Sequence, residues 1–153
     1  CNTTDRGILQ QVLNDYDQET NDFYNWHVSL THAELDDLVQ RKLGLHLGHI
    51  VSLEPLNRGI SGRIYRLRIV GTNGETIVGK ELAIRKALSP THLYSSAFDI
   101  EPTATGITLH GRGWGHGVGL CQIGAAVMGE QGTGHTAILQ HYYKNTSITQ
   151  LYE

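Results

Sequence analysis

The sequence Gly111-Arg112-Gly113-Trp114-Gly115-His116-Gly117-Val118-Gly119 places a glycine at every second position. Glycines with this spacing remove the Cβ atoms from one side of an extended chain, so a ligand or another backbone can approach closely. An apolar pattern with helical spacing begins directly afterwards, and the free N–H groups of a helix start would face this segment. We call residues 111–119 the glycine-rich turn and expect it to join a strand to a helix.

Three large side chains, Arg112, Trp114 and His116, stand within the glycine-rich turn. An amphipathic aromatic ring beside a cation and an imidazole suits a polar, ring-shaped ligand such as a sugar. The turn is not a phosphate-binding loop, because no Lys-Ser/Thr pair follows it and no long βαβ unit precedes it. The remaining alternative is that the glycines only allow tight strand-to-helix packing, with Trp114 buried in the core.

Periodicity along the rest of the chain predicts an α+β fold with short antiparallel strands and four to five helices, in one domain over residues 1–153. Apolar residues with helical spacing predict helices at about 5–16, 31–43, 80–88, 120–132 and 135–143. Alternating or short apolar runs predict strands at 26–30, 49–58, 63–70, 75–78, 97–101, 106–110 and 148–152.

Local signals fix several element boundaries. Thr31 and Glu34 form a capping-box pattern, and Gly44 follows the helix as a C-terminal cap. The alternation in 63–70 predicts Tyr65, Leu67 and Ile69 on one face of a strand. Asn2, Thr3 or Thr4 could cap the first helix, whose apolar face extends to Tyr16. The predicted core contains Leu35, Leu38, Val39, Leu67, Ile69, Leu120, Val127, Ile138 and Leu139.

The composition of the chain argues against several classes of function. A formal net charge of −3 without a basic patch argues against nucleic acid as a partner. No apolar run approaches the ~18–20 residues of a membrane-spanning helix, so we expect no transmembrane segment. The chain begins at Cys1 rather than Met, which fits either a lipidated N-terminal cysteine or a cut site within a longer protein.

The sequence predicts no cofactor and no metal. Nine histidines are present, but none forms an HExxH motif and no Cys-x-x-Cys pair exists. The alternative is a zinc site built from Cys1, His116 and Cys121, against which the missing zinc-ligand motifs argue. We expect Cys121 to lie on the apolar side of the following helix, buried and inert.

The turn and its surroundings resemble the stage II sporulation protein D (SpoIID/LytB) family, which includes the amidase enhancers. The resemblance covers about residues 57–143, and 26–56 match more loosely. It rests on four ordered blocks of residues: Arg58-Gly59-Ile60-Ser61-Gly62-Arg63, Ile84-Arg85-Lys86-Ala87-Leu88, Ser95-Ser96-Ala97-Phe98, and the run from Gly113 to Ala125 followed by Ile138-Leu139-Gln140-His141-Tyr142-Tyr143. Cys121 stands where serine is commoner in the family.

The resemblance implies peptidoglycan chemistry. Members look like lytic transglycosylases, in which a carboxylic acid protonates the glycosidic oxygen and a sugar hydroxyl closes an anhydro ring. The family's acid lies in a Glu-[Met/Leu]-Pro block that this chain lacks, so we assign no catalytic residue and do not transfer the role to Glu81 or Glu101. We interpret the chain as the C-terminal half of a longer protein. We expect the glycine-rich turn, the Ser61–Arg63 turn and Arg85 to converge on one cleft. The predicted substrate-binding residues are Ser61, Arg63, Arg85, Arg112, Trp114, His116, Gln122 and Tyr143.

Two functions follow from the resemblance. The first is the glycan-strand binding half of a sporulation-type lytic transglycosylase, which needs its missing N-terminal half for activity. The second is a non-catalytic module that binds glycan and enhances a cell-wall amidase. An unrelated α+β domain with a glycine-rich loop is a third reading, against which the four ordered blocks argue. Either of the first two functions places the protein outside the cytoplasm, in the cell envelope or periplasm.

Overall fold

The computed structural model describes residues 3–13 and 24–151. Its elements in chain order are α1 (Arg6–Leu13), β1 (Asn25–Thr31), α2 (His32–Leu43), β2 (Ile50–Arg58), β3 (Ile64–Gly71), β4 (Gly74–Gly79), α3 (Glu81–Ala87), β5 (Phe98–Thr103), β6 (Gly106–Arg112), α4 (Gln122–Glu130) and α5 (His135–Tyr142). The predicted α+β class is confirmed. Element ends agree with the sequence-based boundaries to about two residues wherever both ends are described.

Two antiparallel sheets of three strands organise the chain. One has the order β1-β6-β5 and the other β2-β3-β4. In the first sheet Trp26 of β1 and Phe98 of β5 both lie opposite Gly111 of β6. The strand that enters the glycine-rich turn is therefore the central one, held by a neighbour on each side.

The chain forms two compact units, Asn25–His116 and Cys1–Tyr24 together with Gly117–Glu153. We call them the sheet unit and the helical unit. Both sheets belong to the sheet unit, where α2 and α3 pack against them. Its core is continuous and includes the fully buried side chains of Leu67, Ile84 and Phe98. The predicted core residues Leu35, Leu38, Val39, Leu67 and Ile69 are all buried there.

The capping box at the start of α2 is present as predicted. The Thr31 hydroxyl accepts a hydrogen bond from the Glu34 N–H at 3.2 Å, and a Glu34 carboxylate oxygen accepts one from the Thr31 N–H at 2.8 Å. Gly44 ends the helix in the left-handed conformation, at φ 67°. The hydrogen bonds from Thr31 to the carboxylate lower the pKa of Glu34.

We expect Thr31→Ala to lower the free energy of unfolding by about 1 kcal/mol at neutral pH, because the Glu34 N–H loses its acceptor. Since the pKa of Glu34 is lowered on folding, its stabilising contribution is present above the ordinary glutamate pKa and is lost as the pH falls through the folded value. Thr31→Ala keeps the backbone N–H bond to this carboxylate and loses the hydroxyl bond to it, at 2.9 Å, so that part of the deficit should disappear below about pH 4. Denaturant titrations across pH measure this, and Thr31→Ser, which keeps the hydroxyl, is the control. A deficit independent of pH would contradict the assignment.

One predicted strand face is wrong. Ile64, rather than Tyr65, joins Leu67 and Ile69 in the core, and Tyr65 is 46% exposed. The ladder pairs Asn57 with Arg66 but Arg58 with Ile64, which leaves Tyr65 as an extra residue on β3. A bulge of this kind shifts the alternation of side chains by one position, and strict alternation in the sequence does not reveal it.

The helical unit departs further from the sequence-based expectations. Asp5, and not Thr3 or Thr4, caps α1, since its carboxylate accepts hydrogen bonds from the N–H groups of Gly7 and Ile8. The third predicted cap, Asn2, lies outside the described residues. Helix α1 packs against α4, and α4 packs against α5. The predicted extension of the first helix to Tyr16 lies outside the described residues.

The predicted core residues of the helical unit are only partly buried. Helices α4 and α5 contain no fully buried residue, and the four positions in question are half-buried: Leu120, Val127, Ile138 and Leu139. These helices have nine and eight residues, too short to shield an apolar face completely within a small unit. The predicted strand at 148–152 is absent through Leu151, which is 81% exposed.

Candidate functional site

The glycine-rich turn leaves the central strand β6 in a conformation that only glycine adopts easily. Gly113, Gly115, Gly117 and Gly119 all have positive φ, between 68° and 74°. The glycines at alternate positions are therefore required because the backbone repeatedly adopts the left-handed conformation. The extended chain without Cβ atoms on one side, which the sequence suggested, is not formed. Gly111 differs, because it lies within β6 and a Cβ there would stand 2.0 Å from the Trp26 ring.

Side chains from β1 and from the residue before β3 hold the turn by its carbonyl oxygens. The Arg63 guanidinium donates from Nε to the Gly115 carbonyl and from Nη2 to the Trp114 carbonyl, both at 3.0 Å. The Trp26 indole N–H donates to the Gly113 carbonyl at 3.1 Å. Three successive carbonyls thus accept side-chain hydrogen bonds, two of them from a cation, and this fixes the backbone that carries Trp114.

Arg85 supports the same turn through an intermediate segment. It is 8% exposed and donates from Nε to the Leu93 carbonyl at 2.5 Å, while Nη1 pairs with Glu81 at 3.1 Å. The next carbonyl, that of Tyr94, accepts a hydrogen bond from the Gly115 N–H at 2.8 Å. Arg85 therefore orders the segment on which the glycine-rich turn rests.

Arg112 lies beside the turn that contains Ser61. A Cβ on Gly62 would stand 3.5 Å from Nη2 of Arg112, which places the exposed Ser61 close to this guanidinium. The Nη1 atom of Arg112 lies 3.4 Å from Asp99, which also pairs with Arg58. The structure thus brings the Ser61–Arg63 turn, Arg85, Arg112 and the Trp114 segment into one connected set within the sheet unit.

The remaining predicted binding residues lie at or beyond the end of the sheet unit. His116 is exposed and is the last residue of that unit. Gln122, the exposed first residue of α4, and Tyr143, which follows α5, belong to the helical unit. There the Tyr143 hydroxyl lies 3.5 Å from the Cβ position of Gly119, beside the end of the glycine-rich turn. The common cleft for all eight residues stays a prediction.

Cys121 is not a buried, free thiol. It is disulfide-bonded and half-buried, and it stands immediately before α4 rather than on the apolar side of a helix. Its sulfur accepts a hydrogen bond from the Gly124 N–H at 3.3 Å and so caps the helix. The family's more common serine would cap a helix in the same way, which explains why either residue suits this position. The other cysteine, Cys1, lies outside the described residues.

Tyr94 is the main contact that sequence reasoning missed. Its ring lies 4.6 Å from that of Trp114 and 5.7 Å from that of Trp26, between centroids. The position directly precedes the Ser95-Ser96-Ala97-Phe98 block, so the block's place in the sequence could have pointed to it. A single aromatic residue in a loop carries no periodic signal, however.

The carboxylates considered for acid–base chemistry both contact a basic side chain. Glu81 pairs with Arg85, and an oxygen of Glu101 lies 2.6 Å from Nε2 of His110 on the neighbouring strand. In the helical unit, burial raises the pKa of Tyr142, whose hydroxyl would collide with a Cβ on Gly124. This phenol therefore packs as a neutral group.

The described part of the chain contains neither a metal-binding cluster nor a membrane-spanning helix. Over 3–13 and 24–151, no three His, Cys, Asp or Glu side chains cluster so as to hold a metal ion. None of the helices in these ranges is long and apolar enough to cross a membrane.

The sequence profile of a family described as a domain of unknown function, DUF8618, matches residues 1–119. The chain belongs to this family. The DUF8618 match covers β1 to β6 and the whole glycine-rich turn, which are the elements that hold Trp114.

Relatives of this chain confirm the predicted resemblance to the stage II sporulation protein D family. The proteins of that name from Bacillus amyloliquefaciens and Bacillus subtilis are each 32% identical over 111 residues, which cover 72% of this chain. An amidase enhancer from Bacillus subtilis is 32% identical over 66 residues, or 43% of this chain and 9% of the relative. The chain spans 30% of the length of the two sporulation proteins.

Proposed function

We propose that this chain is the glycan-strand binding part of a cell-wall remodelling protein of the stage II sporulation protein D kind. The observation that carries the proposal is the way Arg63 and Trp26 hold three successive carbonyls of the glycine-rich turn. This support fixes the backbone of Trp114 between two exposed polar residues, Arg112 and His116. A fixed aromatic ring with polar neighbours can bind the apolar face of a pyranose and hydrogen-bond its hydroxyl and amide groups.

We propose further that the chain binds without cleaving. Glycan cleavage by the route that the resemblance implies needs a protonated carboxylic acid at the glycosidic oxygen. The carboxylates of the two candidates, Glu81 and Glu101, are already in contact with the side chains of Arg85 and His110. In this proposal the general acid is supplied by a part of the protein outside these 153 residues.

The test is incubation of the isolated chain with denuded glycan strands, followed by binding measurements and by mass spectrometry for anhydro ends. We expect binding and no anhydro ends above background, because positioned proton transfer contributes about 10²–10⁴-fold to such rates. His116→Ala should weaken binding, whereas Glu101→Gln should leave it unchanged. Anhydro ends in the wild-type digest would show that the acid lies within this chain.

A second function has support from one observation, the similarity to a protein named amidase enhancer. In this alternative the chain binds glycan and raises the activity of a cell-wall amidase. Stem-peptide release by a purified amidase, measured with and without the chain, separates the two functions. Faster release without any glycan cleavage would favour the enhancer.

We also propose that the protein works outside the cytoplasm, in the cell envelope or periplasm. The support is the disulfide bond of Cys121, since disulfides persist in oxidising compartments and are rare in reducing ones. Peptidoglycan as the substrate would require the same location.

A further inference from the structure

A stack of aromatic rings extends from the core of the sheet unit to the glycine-rich turn. Phe98 is fully buried and meets Trp26 edge-on, with 6.2 Å between ring centroids. Tyr94 then lies 5.7 Å from Trp26 and 4.6 Å from Trp114, the last pair tilted by only 30°. Tyr94 is 40% exposed, so the stack emerges at the surface beside Trp114. We call these four residues the ring stack.

The segment that carries Tyr94 is hydrogen-bonded to the backbone on both sides of Trp114. The Tyr94 carbonyl accepts from the Gly115 N–H at 2.8 Å, and the Ser95 hydroxyl donates to the Arg112 carbonyl at 2.9 Å. These two bonds join the chain segments that carry the two rings. The two rings therefore stand on segments that are joined by hydrogen bonds, and they do not meet only through flexible side chains.

Sugar binding by Trp114 depends on the orientation of its indole. A pyranose packs its C–H groups against one face of an aromatic ring, so the ring must be held at a fixed angle before the ligand arrives. A ring tilted by 30° at 4.6 Å packs against Trp114 and opposes rotation about its side-chain bonds. The neighbouring ring of Trp26 restrains Tyr94 in turn.

We propose that Tyr94 is a positioning residue for glycan binding, acting through Trp114 and not through its own hydroxyl. The inference rests on the proposed function, because it names the group that orients the sugar-binding ring. The proposal predicts that glycan affinity depends on the aromatic ring at position 94 and does not depend on the phenolic oxygen.

The experiment compares Tyr94→Phe and Tyr94→Leu with Tyr65→Leu, which removes another exposed tyrosine of the sheet unit. Affinity for soluble oligomers of β-1,4-linked N-acetylglucosamine is measured by calorimetry, and circular dichroism checks that each variant is folded. A readout independent of glycan follows the two indole N–H signals, since the chain has two tryptophans. Trp114→Phe assigns them.

We expect Tyr94→Leu to bind about threefold to tenfold more weakly, the factor typical of losing one aromatic pair. Its Trp114 indole signal should move or broaden, while Tyr94→Phe and Tyr65→Leu keep wild-type affinity and spectra. Equal weakening by Tyr94→Phe would overturn the positioning role in favour of a hydroxyl contact. An unchanged Trp114 signal in Tyr94→Leu would overturn it regardless of glycan, whereas a failure of the wild type to bind any oligomer would count against the proposed function instead.

Discussion

Arg63→Met is expected to lower the free energy of unfolding by about 3 kcal/mol and to weaken glycan binding by more than tenfold. The variant removes two hydrogen bonds from a cation to the Trp114 and Gly115 carbonyls, both at 3.0 Å. Hydrogen bonds to charged groups contribute about 1.5–3 kcal/mol each to stability. Because Arg63 is only half-buried, we take the lower value for each of its two bonds. Methionine retains most of the volume of the side chain, so packing is largely preserved.

Arg66→Met is the matched control for this prediction. Arg66 lies on β3, three residues after Arg63, but it is exposed, and its one described hydrogen bond reaches Asn57 at 3.4 Å. We expect Arg66→Met to lower the free energy of unfolding by less than about 0.5 kcal/mol. The stability loss of Arg63→Lys should lie between those of Arg63→Met and Arg66→Met, because an ammonium on a flexible stem does not reproduce the fixed fork of a guanidinium. Equal denaturant midpoints for the Arg63→Met and Arg66→Met variants would contradict the role given to Arg63.

Gly111→Ala is expected to have an effect of similar size for a different reason. A Cβ at this position would stand 2.0 Å from the ring of Trp26, which is 8% exposed and cannot move without displacing the core. Overpacking of this kind costs about 1–3 kcal/mol and sometimes more. Trp26 also donates to the Gly113 carbonyl, so its displacement should loosen the glycine-rich turn.

Gly79→Ala provides the comparison for Gly111→Ala. Gly79 ends β4, and a Cβ there would meet nothing within 4 Å. Thermal and denaturant unfolding should show little change at position 79 and a loss of about 3 kcal/mol at position 111. Similar stabilities for the two variants would mean that Trp26 does not pack against the central strand as described.

The sequence predicted most of the sheet unit because its signals are local. The capping box of Thr31 and Glu34, the strands β3 and β4, and the apolar face of α2 each depend on residues a few positions apart. The same reasoning placed Tyr65 on the wrong face, since a bulge depends on pairing with a distant strand. Leu120, Val127, Ile138 and Leu139 were expected in the core for a related reason: periodicity identifies an apolar face but not how completely it is covered.

For the candidate site, the sequence identified residue types but not their connections. Arg63 and Arg85 were expected to bind ligand, yet their guanidinium groups donate to backbone carbonyls that order the glycine-rich turn. Tyr94 went unnoticed, because its importance arises from a ring contact across 20 positions of chain with Trp114. The role of the alternating glycines also needed coordinates, since only φ values separate left-handed turns from an extended strand.

The most direct test of glycan binding through the glycine-rich turn is a ¹⁵N-detected titration of the isolated chain with N-acetylglucosamine oligomers. The two tryptophan indole signals report on two different environments, because the Trp26 N–H is bonded to the Gly113 carbonyl inside the protein. We predict that the Trp114 signal and the His116 amide move most and saturate together, with a smaller change at Trp26. Saturable shifts confined to other parts of the sheet unit, with Trp114 and His116 unmoved, would contradict the account.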